Sequence, residues 1–435
     1  MQIRPFQGYR FDGQVVGDVG RCVAPPYDVI DEALQQRLYE RSEYNIVRVS
    51  LGKTTPQDNE QNNRYTRAAA CLTEWISSGV LKQDPTERIY GYVQDFDLGA
   101  RHYRRSGMVA LGELEEFGRG VQPHEKTLDG PKADRLRLML AKAAQLGQIF
   151  MLYDDPQRVD EQVMTRAATH PMLLDFLDDA GVRHRLYAID EPEDMRQVAD
   201  MMSTKSVVIA DGHHRYETAL EYYRRTQNPA ARFRMMMFVN MRNEGLQIFP
   251  THRLVRGLAA FDPAGLLARL AQRFEMVDFA FGVSDKVAAR DRMFEQIRTW
   301  CRQGRNAFGL YMATDHFYAL ALRDSAVLEA RAPELSPASR ALDVNVLHKL
   351  VLDDLLGIGE RQLADESHLE YVKDLGDAID ASIERVDRRE CQAAFFMNPT
   401  RVEQVKAVAA AGERMPQKST FFYPKLYTGL VLHKL

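Results

Sequence analysis

The stretch Val207-Val208-Ile209-Ala210-Asp211-Gly212-His213-His214-Arg215-Tyr216-Glu217-Thr218-Ala219 constrains the fold more than any other. Its β-branched apolar run predicts a buried strand. Asp-Gly stops that strand with a turn signal, and Tyr216 to Tyr223 reads as helix. A strand that turns through glycine into a helix start presents first-turn N–H groups and the positive end of a helix dipole. Such a corner attracts anions, phosphate above all. Arg215 adds a forked donor for phosphate or carboxylate. His213 and His214 add groups that move protons near neutral pH or bind metals. The bland alternative is a helix capped by Asp211 whose histidines satisfy backbone groups. Asp-Gly-His-His-Arg directly after a buried strand favours function instead. Adjacent helical residues point about 100° apart, so the two histidines do not converge on one metal ion. A cation held by Asp211 plus substrate phosphate, in the manner of magnesium, suits the spacing better.

Four further clusters carry chemistry-bearing residues. His124-Glu125-Lys126-Thr127 and Pro131-Lys132-Ala133-Asp134-Arg135 crowd a loop and the next helix start. Lys126, Lys132 and Arg135 suit negative substrate groups, with His124 and Thr127 beside them. Glu125 suits a general base or a magnesium ligand. The bland reading is a solvated loop with a charged cap. Ala24-Pro25-Pro26-Tyr27-Asp28-Val29-Ile30 is stiffened by two prolines before a tyrosine and an aspartate. It is either a rigid turn or a segment that presents Asp28. His252 and Arg253 fall within an expected strand, where charge is expensive unless it faces a cleft; a solvated edge strand is the alternative. Lys418, Ser419 and Thr420 are minor candidates in a C-terminal stretch, through Gly429, that reads mainly as packing.

Composition narrows the class. At about 150 residues per domain, 435 residues predict two or three domains. Three stretches suggest themselves: 1–183, 184–330 with the Asp-Gly-His-His-Arg box, and 331–435, with Arg331 to Pro337 as a Pro-rich linker. A net charge of -4 offers no basic excess for nucleic acid. The four cysteines form no CxxC pair and read as buried free thiols of a reducing cytosol. No apolar run is long enough to span a membrane, and no signal peptide is apparent, so a cytoplasmic protein is expected. A homo-oligomer is left open. GxxxxGK[ST], GxGxxG, GxSxG and HExxH signatures are absent. Strands and helices alternate irregularly, which predicts an α+β (mixed α/β) fold rather than a clean doubly wound sheet. Asn45 to Leu51 reads as a short strand, and residues 156–182 read as helical.

Together, APPYDVI at 24–30, HEKT at 124–127, PKADR at 131–135, ADGHHRYETA at 210–219 and QKSTFFYPKLYTGL at 417–430 resemble the prokaryotic family catalogued as domain of unknown function 1015. Members of that family tend to be encoded beside serine-biosynthesis genes, which points to serine or phosphoserine by association. The box is also similar to the phosphate-binding turn of the ParB and sulfiredoxin superfamily, which includes kinases of free serine. That similarity implies a ParB/sulfiredoxin-like core with added α/β segments. It implies that Gly212, His213, His214 and Arg215 contact nucleotide phosphates. Sulfiredoxin has a cysteine where this chain has His213 or His214, which argues against sulfinic acid reduction. The resulting expectation is a phosphotransferase that uses ATP, ADP or CTP with Mg2+ on a small hydroxylated metabolite. Glu125 or Asp28 would be the base, and Asp211 would hold the metal. A phosphoserine-type phosphatase is the enzymatic alternative. A nucleotide-binding regulator, DNA-associated in the ParB manner, is the rival from another class.

Overall fold

A computed structural model of the protein describes residues 1–125 and 130–435. The chain divides into two compact units. The first gathers Met1–Pro123, residues 130–247 and Pro424–Leu435; the second gathers His124, Glu125 and Ile248–Tyr423. The Pro-rich stretch from Arg331 to Pro337 therefore lies inside the second unit and joins no units.

The first unit is built on a mixed nine-stranded sheet. Its strands are β1 (Ile3–Arg4), β2 (Ile89–Leu98), β3 (Arg101–Glu113), β4 (Val121–Pro123), β5 (Ile149–Tyr153), β6 (Leu174–Leu177), β7 (Arg183–Ile189), β8 (Val207–Asp211) and β9 (Phe233–Asn240). They run in the order β4-β8-β5-β9-β3-β2-β7-β6, with β1 paired to β3. β8 runs parallel to β4 and antiparallel to β5, while β5 runs parallel to β9. Unbroken apolar runs suit strands covered on both faces, and every residue of β5 and β9 is buried.

Helix α1 (Gly130–Lys142) precedes β5, and helix α2 (His213–Thr226) follows β8. Helix α2 buries Tyr216, Ala219 and Leu220 at helical spacing. All three join Ile149, Met151, Ile209 and Phe238 in one core.

The second unit holds a six-stranded sheet: β10 (Thr251–Val255), β11 (Phe274–Ala280), β12 (Ala307–Tyr311), β13 (His316–Leu322), β14 (Leu369–Lys373) and β15 (Ala393–Met397). The order is β11-β13-β12-β15-β10-β14, antiparallel throughout. Helix α3 (Lys286–Arg302) places Met293, Phe294, Ile297 and Trp300 in a core with Leu254, Phe317 and Phe396. A mixed sheet and an antiparallel sheet, each with helices, make the fold α+β.

Two expected elements differ. Asn45–Leu51 is not a strand; residues Val47–Ser50 form a short helix. The Asn45 side chain accepts from Val47 N and donates to the carbonyls of Arg21 and Val23, which turns the chain there. The helical stretch expected over 156–182 ends at Ala167, and β6 follows. Pro171 disfavours helix at the residue before it, and β6 then finds β7 as its antiparallel partner. All four cysteines are free thiols; Cys22 and Cys391 are buried, Cys71 and Cys301 half-buried. No described helix is long and apolar enough to cross a membrane.

Candidate functional site

The register between β8 and β5 shifts between Ile209 and Asp211. A bulge of this kind re-aims the side chain that follows it. Gly212 comes next with φ +93°, a left-handed conformation that glycine adopts without strain. A Cβ at this position would lie 2.9 Å from Arg215 Nε, so the missing side chain also makes room for the guanidinium. Arg215 Nη2 donates to Asp211 Oδ2 at 3.1 Å, and Nη1 donates to the Gln148 carbonyl at 2.6 Å. Lys425 Nζ donates to Asp211 Oδ1 at 3.3 Å. Burial pushes the Asp211 carboxyl up, but Lys425, Arg215 and His213 outweigh it and hold the group at about 2. Asp211 does not cap the helix: Gly212 is the N-cap, without a side-chain bond. His213 and His214 open α2 half-buried. Tyr216 pins the first turn, donating to the Glu115 carbonyl at 2.8 Å and accepting from its N–H at 2.9 Å.

Magnesium fits this arrangement poorly. Each Asp211 oxygen accepts from a cation. Among the described residues no group of three His, Cys, Asp or Glu side chains is arranged to hold a metal ion. Asp211 acts here as an anchor for Arg215 and Lys425.

The proline-stiffened segment reaches the same corner. Pro26 holds φ −65° and leads into a 3-10 turn at Tyr27–Val29. The Arg135 guanidinium lies over the Tyr27 ring, 4.2 Å from its centroid. Burial raises the Tyr27 hydroxyl; Arg215 opposes that rise, Asp28 adds to it, and Arg135 and Asp211 act more weakly in opposite senses. Tyr27 thus feels both members of the Asp211–Arg215 pair. Asp28 is exposed beside it. Arg135 Nε donates to Asp134 Oδ2 at 2.6 Å and Nη1 to the Ser50 carbonyl at 2.7 Å. Lys132 pairs with Glu217 of α2 at 2.7 Å. A pocket of about 80 Å³ is lined by Tyr27, Arg135, Lys142, Arg215, Thr218 and Arg234, among others.

Three cations here escaped the sequence reading. Lys142 ends α1, where a lysine reads simply as a partner for the helix dipole. Arg234 sits within the buried strand β9; its charge inside an apolar run was the available signal, the same one that singled out Arg253. Lys425 lies in a stretch that reads as packing.

The remaining candidates gather in the second unit. His124 is buried; its Nε2 lies 2.8 Å from Thr420 Oγ1 and 3.8 Å from Glu125 Oε2. Glu125 Oε1 accepts the Lys418 N–H at 2.7 Å. Lys418 contributes backbone, in a left-handed conformation with φ +59°, while its side chain is exposed. Ser419 Oγ donates to the Pro416 carbonyl at 2.6 Å. β10 is an interior strand, so the solvated-edge alternative for His252 and Arg253 does not hold. Both side chains are buried. His252 Nδ1 accepts from Met397 N at 3.2 Å. Arg253 donates to the carbonyls of Thr251 and Lys418. Lys126 and Thr127 lie outside the described residues.

Superpositions on solved structures are loose. A free serine kinase variant in complex with AMP aligns at TM-score 0.36 and 12% identity, over 72% of this chain and 87% of that one. A conserved hypothetical protein from Pyrococcus furiosus aligns at 0.35 and 13%, over 74% and 94%. SbnI with a C-terminal truncation, from Staphylococcus aureus, aligns at 0.33 and 10%, over 72% and 82%. Overlaps of this size transfer no residue role to this chain. No curated protein matches it. The profile of the family described as protein of unknown function (DUF1015) matches residues 3–345, most of the chain, and the protein belongs to that family.

Proposed function

We propose that the protein is a nucleotide-dependent phosphotransferase acting on a small hydroxylated metabolite, free serine being the first candidate. One observation carries the reading. A bulged strand end, a left-handed glycine and a pre-oriented arginine converge at the start of α2, with His213 and His214 in its first turn. The likeness of this turn to the phosphate-binding box of the ParB and sulfiredoxin superfamily supports it.

Phosphoryl transfer needs positioning and charge stabilisation more than covalent chemistry from the protein. Gly212 lets a phosphate approach the backbone closely. Arg215, held by Asp211 and Gln148, turns its remaining N–H groups to the transferring oxygens. Lys132 and Arg135 offset developing charge, and His213 or His214 stabilises it or passes a proton. Asp28 takes the proton from the acceptor hydroxyl. Glu125, the other carboxylate considered, already accepts the Lys418 N–H, which leaves Asp28 the better base.

The test is nucleotide turnover with serine as acceptor, followed by detection of the phosphorylated product. Arg215→Ala should lower turnover by about 100-fold or more, the usual cost of one transition-state donor. Asp28→Asn should lower kcat by a similar factor with KM for nucleotide nearly unchanged. Full activity of Arg215→Ala would sink the assignment.

A further inference from the structure

The pocket beside the corner holds more positive charge than its carboxylates balance. Asp134 is shared by Arg64 and Arg135. Asp211 is shared by Arg215 and Lys425. Among the described residues Arg234 donates only to neutral oxygens, Gln145 Oε1 at 2.7 Å and the Gly147 carbonyl at 2.6 Å, and it is 5% exposed. Lys142 has no hydrogen-bond or ion-pair partner among the described residues, although it ends α1 and gains there from the helix dipole. Among the described residues no Asp or Glu lines the pocket.

A second observation is independent of charge. Thr218 is 4% exposed, and among the described residues its Oγ1 has no hydrogen-bond partner although it lines the same space. A buried hydroxyl left unbonded keeps its full desolvation cost, so such atoms generally have a partner when the site is filled.

Size restricts the occupant. About 80 Å³ is far below the roughly 300–1,000 Å³ of pockets that enclose drug-sized ligands. It excludes a nucleoside and admits a tetrahedral oxyanion. Two cations without carboxylates match a dianion better than a single carboxylate.

We propose that this pocket binds a phosphate dianion, free or as the end of a small phosphomonoester, through Lys142, Arg234, Arg135, Arg215 and the Thr218 hydroxyl. The inference stands on the pocket lining and does not need the phosphotransferase reading. The titration behaviour of the lining agrees with it. Burial, with Arg215, draws Arg234 down to about 9. Burial, with Arg234 and Arg135, draws Lys142 well below the ordinary lysine range. Both groups regain favourable surroundings when an anion arrives.

The test is calorimetric titration of the full chain, in phosphate-free buffer, with inorganic phosphate, O-phosphoserine and acetate. Phosphate should bind in the millimolar range or tighter, and acetate about tenfold more weakly or worse. Lys142→Met should weaken phosphate about tenfold, the loss of one charge-assisted bond. Thr218→Val, nearly isosteric, should weaken it about fivefold with circular dichroism unchanged. Binding of O-phosphoserine with the same dependence on Thr218 would identify the phosphomonoester as the occupant. A dependence confined to inorganic phosphate would identify the free ion. Absence of phosphate binding, equal affinity for acetate, or indifference to both substitutions would overturn the proposal. Failure of nucleotide turnover alongside Thr218-dependent phosphate binding would sink the phosphotransferase reading and leave the pocket standing.

Discussion

Gly212 is where conformation and chemistry are hardest to separate, and one substitution separates them. Gly212→Ala must keep φ near +93° and place a Cβ 2.9 Å from Arg215 Nε. The backbone strain is about 1–2 kcal/mol, and the guanidinium must also move. The expected outcome is a modest fall in thermal stability with a larger fall in nucleotide turnover. If stability falls and turnover does not, Arg215 is structural. Asp211 gives a second prediction, through pH. Its carboxyl sits at about 2 in the folded chain against an ordinary 3.8. A group depressed in this way adds stability above its ordinary range and loses it as the pH drops toward 2. The contribution is on the order of 2 kcal/mol. Asp211→Asn should therefore cost about that much in chemical denaturation at neutral pH, and progressively less between pH 4 and 2. A constant difference across that window would show that the Arg215 and Lys425 contacts do not depend on charge. The corner itself was readable because Asp-Gly-His-His-Arg is a local signal. Lys142 and Lys425 were not, because their meaning lies in neighbours far along the chain, and Arg234 offered only the signal of a charge inside an apolar run.

Strands and helices were legible wherever the pattern was local and strong. The β2–β3 hairpin follows from its turn, with Gly99 at φ +59° between paired Leu98 and Arg101. β8 and α2 follow from a β-branched run and a helical period. What stayed hidden was pairing. Asn45 drew a β-branched stretch into a helical turn through bonds to Arg21 and Val23, and only the folded chain supplies those partners. Close approach between strands is equally silent in sequence. In β3, a Cβ added to Gly107 would lie 2.7 Å from the Phe238 carbonyl oxygen, and equally close to side-chain atoms of Met237 and Val239 in β9. A backbone oxygen cannot swing aside as a long side chain does. Gly107→Ala should thus destabilise by about 1–3 kcal/mol, seen as a lower midpoint in urea with an unchanged slope. A neutral outcome would mean that β3 and β9 slide apart freely, against their continuous antiparallel register from Glu113–Phe233 to Met108–Phe238.

The division of the chain into two units crosses the sequence in a way no linear reading reveals. The first unit closes only when Pro424–Leu435 returns to it. Thr428 exchanges backbone hydrogen bonds with Ala24, and Gly429 N donates to the Leu146 carbonyl. The candidate residues divide along the same line: Asp28, Lys132, Arg135 and Asp211 to Arg215 in one unit, His124, Glu125, His252, Arg253, Lys418 and Ser419 in the other. Each unit has its own apolar core, and a core of its own is what lets a unit unfold separately. Phe396, fully buried against Phe294 and His252 in the second unit, tests this. Phe396→Ala leaves a cavity worth about 3–5 kcal/mol. In a unit of this size that corresponds to a fall of roughly 10 °C. Scanning calorimetry should show two transitions in the native protein, with only one moved by Phe396→Ala. Phosphate binding by the Lys142–Arg234 pocket, measured below the lower transition, should be unchanged. Were both transitions to shift together, or phosphate binding to fail at 25 °C, the two cores would be a single cooperative body. Arg215 would then answer to packing around Phe396 as well as to its own neighbours.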